Sequence, residues 1–330
     1  MKYARSDAKK WVNENLHGHI AVTTTPMTTD GEIDWKGLAS NVDFLLALPG
    51  MNGIYLNSIY QEFWTMTEAE KRRVTEVTIE AVNGRVPVIV GCNHTSARDT
   101  LALAKHAQES GADLTMVWPP YYGVRTEDGV HAYYEYIAER LDIGMCIYST
   151  TLPELGHFLT PTAVVKLADI DNICAVKEVS LTLAGYTNML QAAGDKIAIS
   201  SPLEEYHYFG CCAFPKLTPN FLLGNSRPMY MQTRERPYCA DYWKAIDEGD
   251  LDKAGRALQP IVGMANALHS KYLSKGGHNI ALAKHLTGLV GMAAGPVRPP
   301  MSAAPQEQID EAVKILQSFG ILPAGPANAA

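Results

Sequence analysis

Short apolar runs rich in β-branched residues recur along the chain, separated by longer stretches that mix polar and apolar positions. The runs cover residues 19–26, 53–58, 87–93, 114–120, 144–150, 173–179, 196–201 and 217–224. Their near-continuous hydrophobicity is typical of strands that are buried on both faces, as in parallel sheets. The pattern therefore predicts eight parallel strands.

The stretches between these runs carry helix signals. Thr67 and Glu70 have the spacing of a capping box, and Val74 and Val77 follow on one helical face. Another helix begins with Pro161 at its first position, where a missing N–H does no harm. Strands that alternate with helices predict an α/β fold, a (β/α)8 TIM barrel, whose strand carboxyl ends carry the chemistry.

The strand signal stops after about residue 227, and the remaining periodic segments are helical. They cover residues 238–249, 251–273, 278–290 and 306–320. We therefore expect four parts, namely an N-terminal helical extension over 1–17, the barrel over 18–227, a C-terminal helical region over 228–322 and a tail over 323–330.

Composition narrows the function class. Of the 330 residues 47% are hydrophobic and 19% charged, which favours a large core and surface buried between subunits. The net charge of −7, without a Lys/Arg cluster, argues against a nucleic-acid partner, and no apolar run has the length of a membrane span. The N-terminus lacks a secretory apolar segment and the six cysteines lack C-x-x-C spacing, so we expect a cytoplasmic protein.

One lysine, Lys177, interrupts the apolar run that covers residues 173–178. Burying an unpaired ammonium group is costly, and a lowered pKa that leaves the amine neutral relieves that cost. A neutral amine is a nucleophile towards carbonyl carbon, so Lys177 is a candidate Schiff-base lysine. The alternative is a strand-end lysine that pairs with Glu178 or reaches solvent.

Two further features lie at predicted strand ends. Tyr148 closes the fifth strand and Lys177 the sixth, so they are expected to be neighbours, and a phenol beside an amine suits proton transfer. The turn over residues 57–62 follows the second strand. It presents backbone N–H groups at a helix entrance, which suits a carboxylate, although an ordinary loop with an N-cap has the same pattern.

In their order along the chain, these and other residues resemble the dihydrodipicolinate synthase/N-acetylneuraminate lyase superfamily of Schiff-base aldolases and lyases. The resemblance covers roughly residues 18–300, and Lys177 follows Tyr148 by 29 positions. The matching pieces are Thr25-Pro26-Met27, Asp30-Gly31-Glu32-Ile33-Asp34, Glu62, Thr67 with Glu70, Pro120-Tyr121-Tyr122, Tyr148, Val176-Lys177-Glu178 and Gly295-Pro296-Val297-Arg298-Pro299-Pro300.

The resemblance implies specific roles. Lys177 would form an imine with the keto carbon of pyruvate or a pyruvate-derived substrate, with no cofactor beyond this covalent imine, and Tyr148 would shuttle protons. The turn formed by Ser58, Ile59 and Tyr60 would hold the α-keto acid carboxylate. Tyr122 matches a tyrosine that reaches into a neighbouring subunit, which implies a homo-oligomer, commonly a homotetramer built as a dimer of dimers.

The chain departs from the family pattern at two places. The usual Gly-Thr-Thr-Gly-Glu reads Ser58-Ile59-Tyr60-Gln61-Glu62, and because Ile59 has no hydroxyl the threonine–tyrosine relay does not carry over. The backbone amides at 59 and 60, or the hydroxyls of Ser58 and Tyr60, would then bind the carboxylate. The synthase pattern also has an arginine after the tyrosine, and residues 149–157 contain none, which argues against dihydrodipicolinate synthase itself.

Aromatic residues point to a flat, apolar half of the substrate. Tyr60, Phe63, Trp64, Trp118 and Phe214 are expected at or near barrel-mouth loops, although packing beneath the loops is the alternative. The stretch from residue 201 to Asn225 and Ser226 resembles the hydratase-aldolase branch, which cleaves arylidene-pyruvates to an aromatic aldehyde and pyruvate. The expected substrate-binding residues are Thr25, Ser58, Ile59, Tyr60, Trp64, Tyr122, Asn225 and Ser226.

Other functions remain open at this point. A keto-deoxy sugar acid dehydratase or aldolase would also use a lysine imine, with Thr150, Thr151, Asn225 and Ser226 binding sugar hydroxyls. A non-catalytic paralogue that only binds an α-keto acid is a further alternative. The scattered histidines make no convincing metal shell and no dinucleotide motif is present, so we expect neither a metal nor a nucleotide cofactor.

Overall fold

The computed structural model describes residues 2–120, 122–123, 125–151, 158–270 and 280–324. The chain divides into two compact units. The first contains Met1–Ile20, Asn52–Leu56 and Gly84–Gly224, and the second contains Ala21–Met51, Asn57–Asn83 and Asn225–Ala330. The four-part division expected above, with its limits at residues 17, 227 and 322, remains a prediction.

The eight predicted strands are confirmed, and nearly all of their residues belong to the first unit. They are β1 Gly18–Val22, β2 Met51–Leu56, β3 Val88–Gly91, β4 Leu114–Val117, β5 Gly144–Thr150, β6 Ile173–Val179, β7 Ala198–Ser200 and β8 Phe221–Asn225. They form one sheet in the order β7-β6-β5-β4-β3-β2-β1-β8, and β2 to β7 pair in parallel. The fold is a (β/α)8 barrel, as predicted.

Helices alternate with the strands and continue after β8. They are α1 Ala8–Asn15, α2 Trp35–Leu46, α3 Glu68–Val82, α4 Ala97–Glu109, α5 Glu127–Ala138, α6 Pro161–Leu167, α7 Leu183–Ala193, α8 Glu204–Ala213, α9 Tyr238–Asp247, α10 Leu251–Ala265, α11 Ile280–Leu289 and α12 Gln306–Ser318. Most begin at a side-chain cap. The Thr67–Glu70 capping box of α3 is present, and Pro161 opens α6, both as predicted.

A side chain joins the two strands at the ends of the strand order. The buried hydroxyl of Ser200 in β7 donates to the Phe221 carbonyl at 2.8 Å and accepts from the Leu223 N–H at 2.9 Å, both in β8. Parallel neighbouring strands are normally joined by backbone hydrogen bonds. Here the Ser200 side chain supplies two hydrogen bonds between β7 and β8.

The C-terminal helices appear where they are predicted, with one difference in helix type. The helix expected over 251–273 is α-helical to Ala265 and continues as a π-helix over Asn266–Ser270. The rest of that prediction, and the start of the one over 278–290, lie outside the described residues. In the described part of the chain no helix has the length and apolarity needed to cross a membrane. The cytoplasmic location stays a prediction.

Candidate active site

Lys177 lies inside the barrel wall near the carboxyl end of β6. All seven residues of β6 are buried, and Lys177 pairs with Tyr148 of β5 and Ser200 of β7. Its side chain is 4% exposed, and burial lowers its pKa from the usual 10.5 to about 7. A substantial fraction of this amine is therefore neutral and nucleophilic near pH 7. The alternative in which Lys177 reaches solvent is therefore wrong.

The environment of the Lys177 amine is polar on one side and aromatic on two others. Nζ donates to the Gly224 carbonyl at 3.2 Å, its one hydrogen bond within the described part of the chain. The ring centroids of Tyr55 and Tyr148 lie 5.1 and 5.2 Å from Nζ, inside the range of a cation–π contact. The predicted proximity of Tyr148 and Lys177 is confirmed.

Tyr148 is held by an aromatic neighbour. Trp118, which directly follows β4, stacks on it with ring centroids 4.6 Å apart and planes 22° apart. The Trp118 Nε1–H group also donates to the Tyr55 hydroxyl at 3.5 Å, a long hydrogen bond. Tyr55, Trp118 and Tyr148 form one connected set of rings around Lys177, which we term the aromatic cradle. All three rings are buried.

Glu178 follows Lys177 but does not pair with it. Its Oε1 accepts from the Ser180 N–H at 3.0 Å, and its Oε2 is buried with no hydrogen-bond partner in the described structure. Burial raises the pKa of Glu178 from 4.5 to about 7. Successive strand residues face opposite sides, so the two titratable groups point away from each other. The predicted alternative in which Glu178 pairs with Lys177 is therefore also wrong.

The turn after β2 belongs to the second unit and is a short 3-10 segment over Ile59–Gln61. The Thr25 hydroxyl donates to the Gln61 carbonyl at 3.1 Å, which brings Thr25 to this turn. Four buried polar atoms here have no hydrogen-bond partner within the described residues, namely Thr24 Oγ1, Asn57 Oδ1, Ser58 Oγ and Gln61 Nε2. Such atoms are rare in folded proteins, and a polar ligand is one explanation for them.

A buried ion pair anchors the end of this turn. Glu62 has a left-handed backbone, with φ of 58°, and its Oε1 accepts from Lys284 Nζ of α11 at 2.8 Å. Both side chains are fully buried. Lys284 also donates to the Pro296 carbonyl at 2.6 Å, and the Arg298 N–H donates to Glu62 Oε2 at 3.1 Å. The two charges are thus paired and hydrogen-bonded, as buried charges require.

Arg298 connects the matched motifs of the second unit. Its guanidinium group donates to both carboxylate oxygens of Glu70, at 2.6 and 3.0 Å, and to the Gly31 carbonyl at 2.6 Å. The Glu70–Arg298 pair lowers the pKa of Glu70, chiefly through the hydrogen bond. Arg298 therefore hydrogen-bonds Gly31, Glu62 and Glu70 and stabilises the turn that ends at Glu62.

The other predicted site residues fall into two groups. Tyr60 and Ser226 are brought together by a side-chain hydrogen bond, and Asn225 Oδ1 accepts from the Arg227 N–H at 2.9 Å. Trp64 and Tyr122 are instead exposed, by 41% and 84% respectively. The role of Tyr122 at a subunit contact stays a prediction.

One aromatic prediction is wrong. Phe214 directly follows α8, so it lies on a helix-to-strand connection and not on a strand-to-helix loop. It packs near Phe209, with ring centroids 6.4 Å apart.

Three residues of the site were missed in the sequence. Tyr55 lies within an apolar strand, where a tyrosine draws no attention. Gly224 sits at the end of another strand, and only its φ of 74° and its closeness to Lys177 mark it. Lys284 did carry a signal, because it is a single lysine in the apolar helix α11, the same pattern that identified Lys177.

Comparison with known proteins gives the evolutionary context. The sequence model described as the dihydrodipicolinate synthetase family matches residues 15–211. The chain belongs to this family. Enzymes of the dihydrodipicolinate synthetase family are class I lyases and aldolases that form a Schiff base between a lysine and pyruvate without an external cofactor. The chain is therefore a class I, Schiff-base carbon–carbon lyase of the pyruvate-aldolase type.

Individual relatives agree with this membership. The 4-hydroxy-tetrahydrodipicolinate synthase of Methanopyrus kandleri is 28% identical over 313 residues, covering 94% of this chain and 98% of the relative. The synthase of Nitrosococcus oceani is 34% identical over 186 residues, covering 56% and 63%. The structure of YagE from E. coli K12, a family member in complex with pyruvate, has a TM-score of 0.79 and 25% identity, covering 93% and 99%.

Proposed function

We propose that this family member is a hydratase-aldolase that converts an arylidene-pyruvate and water to an aromatic aldehyde and pyruvate. Lys177 is its Schiff-base lysine and Tyr148 its proton shuttle. The observation that carries the proposal is a buried amine with a pKa near 7, set against an aromatic cradle. A cradle of this kind suits a conjugated, flat substrate better than a polyol.

The chemistry begins at the neutral amine of Lys177. The amine adds to the keto carbon, and loss of water with uptake of one proton leaves an iminium ion. Water then adds across the substrate double bond, and cleavage of the adjacent C–C bond releases the aldehyde. The remaining enamine takes up a proton at carbon, and a second water hydrolyses the resulting iminium to pyruvate and the free lysine.

Each of these steps moves a proton, and Tyr148 is the group we assign to move it. Its ring centroid lies 5.2 Å from Nζ, and the Trp118 stack fixes the ring plane. A fixed phenol serves both the removal and the return of a proton without rearrangement.

As the family resemblance implies, the α-keto acid carboxylate is assigned to the turn that contains Ser58, Ile59 and Tyr60. The partnerless Ser58 hydroxyl, with Thr25, Tyr60 and the backbone N–H of Ile59, offers donors suited to a carboxylate. Asn225 and Ser226 are assigned to polar contacts, and Trp64 to the aromatic half of the substrate. The Ser58 hydroxyl supports this assignment because a buried hydroxyl without a partner is costly unless a ligand satisfies it.

The curated relatives are named 4-hydroxy-tetrahydrodipicolinate synthase, which makes synthase activity the second candidate. Residues 149–157 contain no arginine for a second carboxylate, and the aromatic cradle offers no cation in its place. We therefore favour an uncharged aromatic aldehyde over a carboxylate-bearing one as the partner of pyruvate.

We also propose that the chain assembles as a homotetramer in which Tyr122 lies at a subunit contact. A tyrosine that is 84% exposed suits such a contact, because aromatic residues are enriched at interfaces. Light scattering of the purified protein tests the assembly, and a monomer would reject it.

The first test is borohydride trapping with pyruvate, read by intact mass and peptide mapping. We expect a reduced pyruvyl adduct on Lys177 and none on Lys284, a second buried lysine, because the Lys284 amine is held in an ion pair with Glu62. The Lys177→Ala variant should form no adduct. An adduct elsewhere, or full activity of Lys177→Ala, would reject the mechanism.

The second test identifies the reaction. Arylidene-pyruvates absorb in the ultraviolet, so we expect turnover to bleach that absorbance and Tyr148→Phe to slow it by roughly two to four orders of magnitude. Turnover of keto-deoxy sugar acids or condensation with a carboxylate-bearing aldehyde instead would reject the hydratase-aldolase assignment. Pyruvate binding that raises the melting temperature without a trapped adduct would favour the non-catalytic paralogue.

A further inference from the structure

Of the two rings that face Lys177 Nζ, Tyr148 belongs to a matched motif and Tyr55 does not. Tyr55 lies on β2, four places from β6 in the strand order, and its side chain is 1% exposed. Its ring centroid is 5.1 Å from Lys177 Nζ, as close as that of Tyr148. The amine is thus in contact with two ring faces supplied by different strands.

We propose that Tyr55 is a further catalytic residue, whose ring face stabilises the positive charge that Lys177 carries in the iminium ion. The proposal rests on the proposed function, because it requires Lys177 to form that ion. A ring face presents the negative side of the aromatic quadrupole, and the attraction is strongest where water is excluded.

The groups that face Nζ all favour a cation and none is a carboxylate. In the described part of the chain these groups are the rings of Tyr55 in β2 and Tyr148 in β5, and the Gly224 carbonyl of β8. When the amine and ketone take up a proton and release water, the charge arises among these three. The cradle stabilises that charge without a carboxylate. A carboxylate would raise the pKa of Lys177 and keep the resting amine protonated.

The hydroxyl of Tyr55 is not the active part in this proposal. It accepts the Nε1–H of Trp118, and burial raises its pKa far above the usual 10, so the phenol stays neutral. Gly224 makes the ring contact possible, because a Cβ there would lie 3.0 Å from Tyr55 Cδ1 and 2.4 Å from Nζ. The geometry therefore reserves the space for the ring and the amine together.

The test compares Tyr55→Phe, which keeps the ring, with Tyr55→Leu, which removes it. The readout is the pyruvate concentration that gives half-maximal borohydride-trapped adduct on Lys177. We expect Tyr55→Phe to stay within about twofold of the unmodified protein and Tyr55→Leu to need about 3- to 30-fold more pyruvate. The pKa of Lys177, read from the pH dependence of trapping, should fall further in Tyr55→Leu.

A structural role alone would not give this pattern. If loss of the ring merely admitted water, the pKa of Lys177 would rise towards 10.5, which would overturn the proposal. Equal losses in Tyr55→Phe and Tyr55→Leu would assign the effect to the hydroxyl and would also overturn it.

A fluorination series covers the case in which Tyr55→Leu does not fold. Phenylalanine with none, one, two or three ring fluorines at position 55 keeps the shape of the ring while weakening its negative face. We expect the half-maximal pyruvate concentration to rise steadily with fluorine number, and a flat series would overturn the proposal. If the unmodified protein itself forms no adduct, the proposed function fails; an adduct with a flat series rejects the role of Tyr55 alone.

Discussion

Lys177 and Gly224 lie so close that no side chain fits at position 224, since a Cβ there would stand 2.4 Å from Lys177 Nζ. The Gly224 carbonyl accepts a hydrogen bond from Lys177 Nζ at 3.2 Å. The Gly224 φ of 74° is also in the left-handed region, where a side chain adds strain. Both its backbone conformation and its lack of a side chain are thus needed where the reactive amine lies.

A Gly224→Ala substitution should therefore damage activity more than folding. The left-handed conformation costs about 1–2 kcal/mol for a residue with a Cβ, whereas displacing a reactive atom by about 1 Å lowers rates by about 100-fold. We expect a folded protein whose kcat/KM falls by that order. Gly249→Ala is the matched control, because its φ is 71° and no atom lies within 4 Å of the place that a Cβ would take. Equal losses of activity in both variants would contradict the prediction.

The pKa of Lys177 predicts the pH dependence of imine formation. With a pKa of about 7, the neutral fraction of the amine rises about tenfold between pH 6 and pH 8. We expect kcat/KM for the pyruvate-containing substrate to follow that rise. A profile that stays flat until about pH 10 would mean that the lysine keeps the pKa of a solvated amine.

The titration of Glu178 must be distinguished from that of Lys177, because burial raises the pKa of Glu178 to about 7 as well. The Glu178→Gln variant removes the carboxyl group and keeps an oxygen to accept from the Ser180 N–H. The pH profile should survive this change. Its disappearance would assign the titration to Glu178 and not to Lys177.

Glu178 also predicts how stability depends on pH. Its folded pKa is raised from 4.5 to about 7, so its favourable contribution is complete below about pH 4.5 and is lost as the pH rises through 7. We expect Glu178→Gln to be more stable than the unmodified protein at pH 8, by on the order of 1–3 kcal/mol, with the difference vanishing below about pH 4.5. Urea unfolding at the two pH values measures this, and a difference independent of pH would contradict it.

The ion pair of Glu62 and Lys284 predicts a large single-site loss. Lys284→Met leaves the buried Glu62 carboxylate without its cation, and breaking such a pair costs about 3–5 kcal/mol. Denaturant unfolding should show a loss of that size. The double variant Glu62→Gln/Lys284→Met removes both charges and should recover part of the stability, and a double variant as unstable as the single one would show that packing dominates.

The fold was predictable because its signals are local. Every strand appears as an apolar run, and β5 and β6 match the predicted limits residue for residue. Helix caps such as Thr67 lie within one turn of the groups that they bind, so sequence spacing reveals them. Limits were less accurate at β7 and β8, where the apolar runs extend beyond the paired residues.

The site was only partly predictable, because its contacts join distant parts of the chain. Lys177 and Tyr148 were found because each lies near the carboxyl end of a recognisable strand. Tyr55 was not, because its importance depends on a ring reaching an amine 122 positions later in the sequence. Phe214 was misplaced because α8 was not located in the sequence, and only the end of that helix shows that Phe214 lies on a helix-to-strand connection.

The 222 positions between Glu62 and Lys284 also matter during synthesis of the chain. Glu62 leaves the ribosome long before Lys284, so a nascent chain has the turn and its carboxylate but not the cation that neutralises it. Until α11 has been made, burying that carboxylate is unfavourable, and the turn stays hydrated. We therefore expect the second unit to acquire its final form only near the end of translation, and a chain stalled before residue 280 to have an open Glu62 turn.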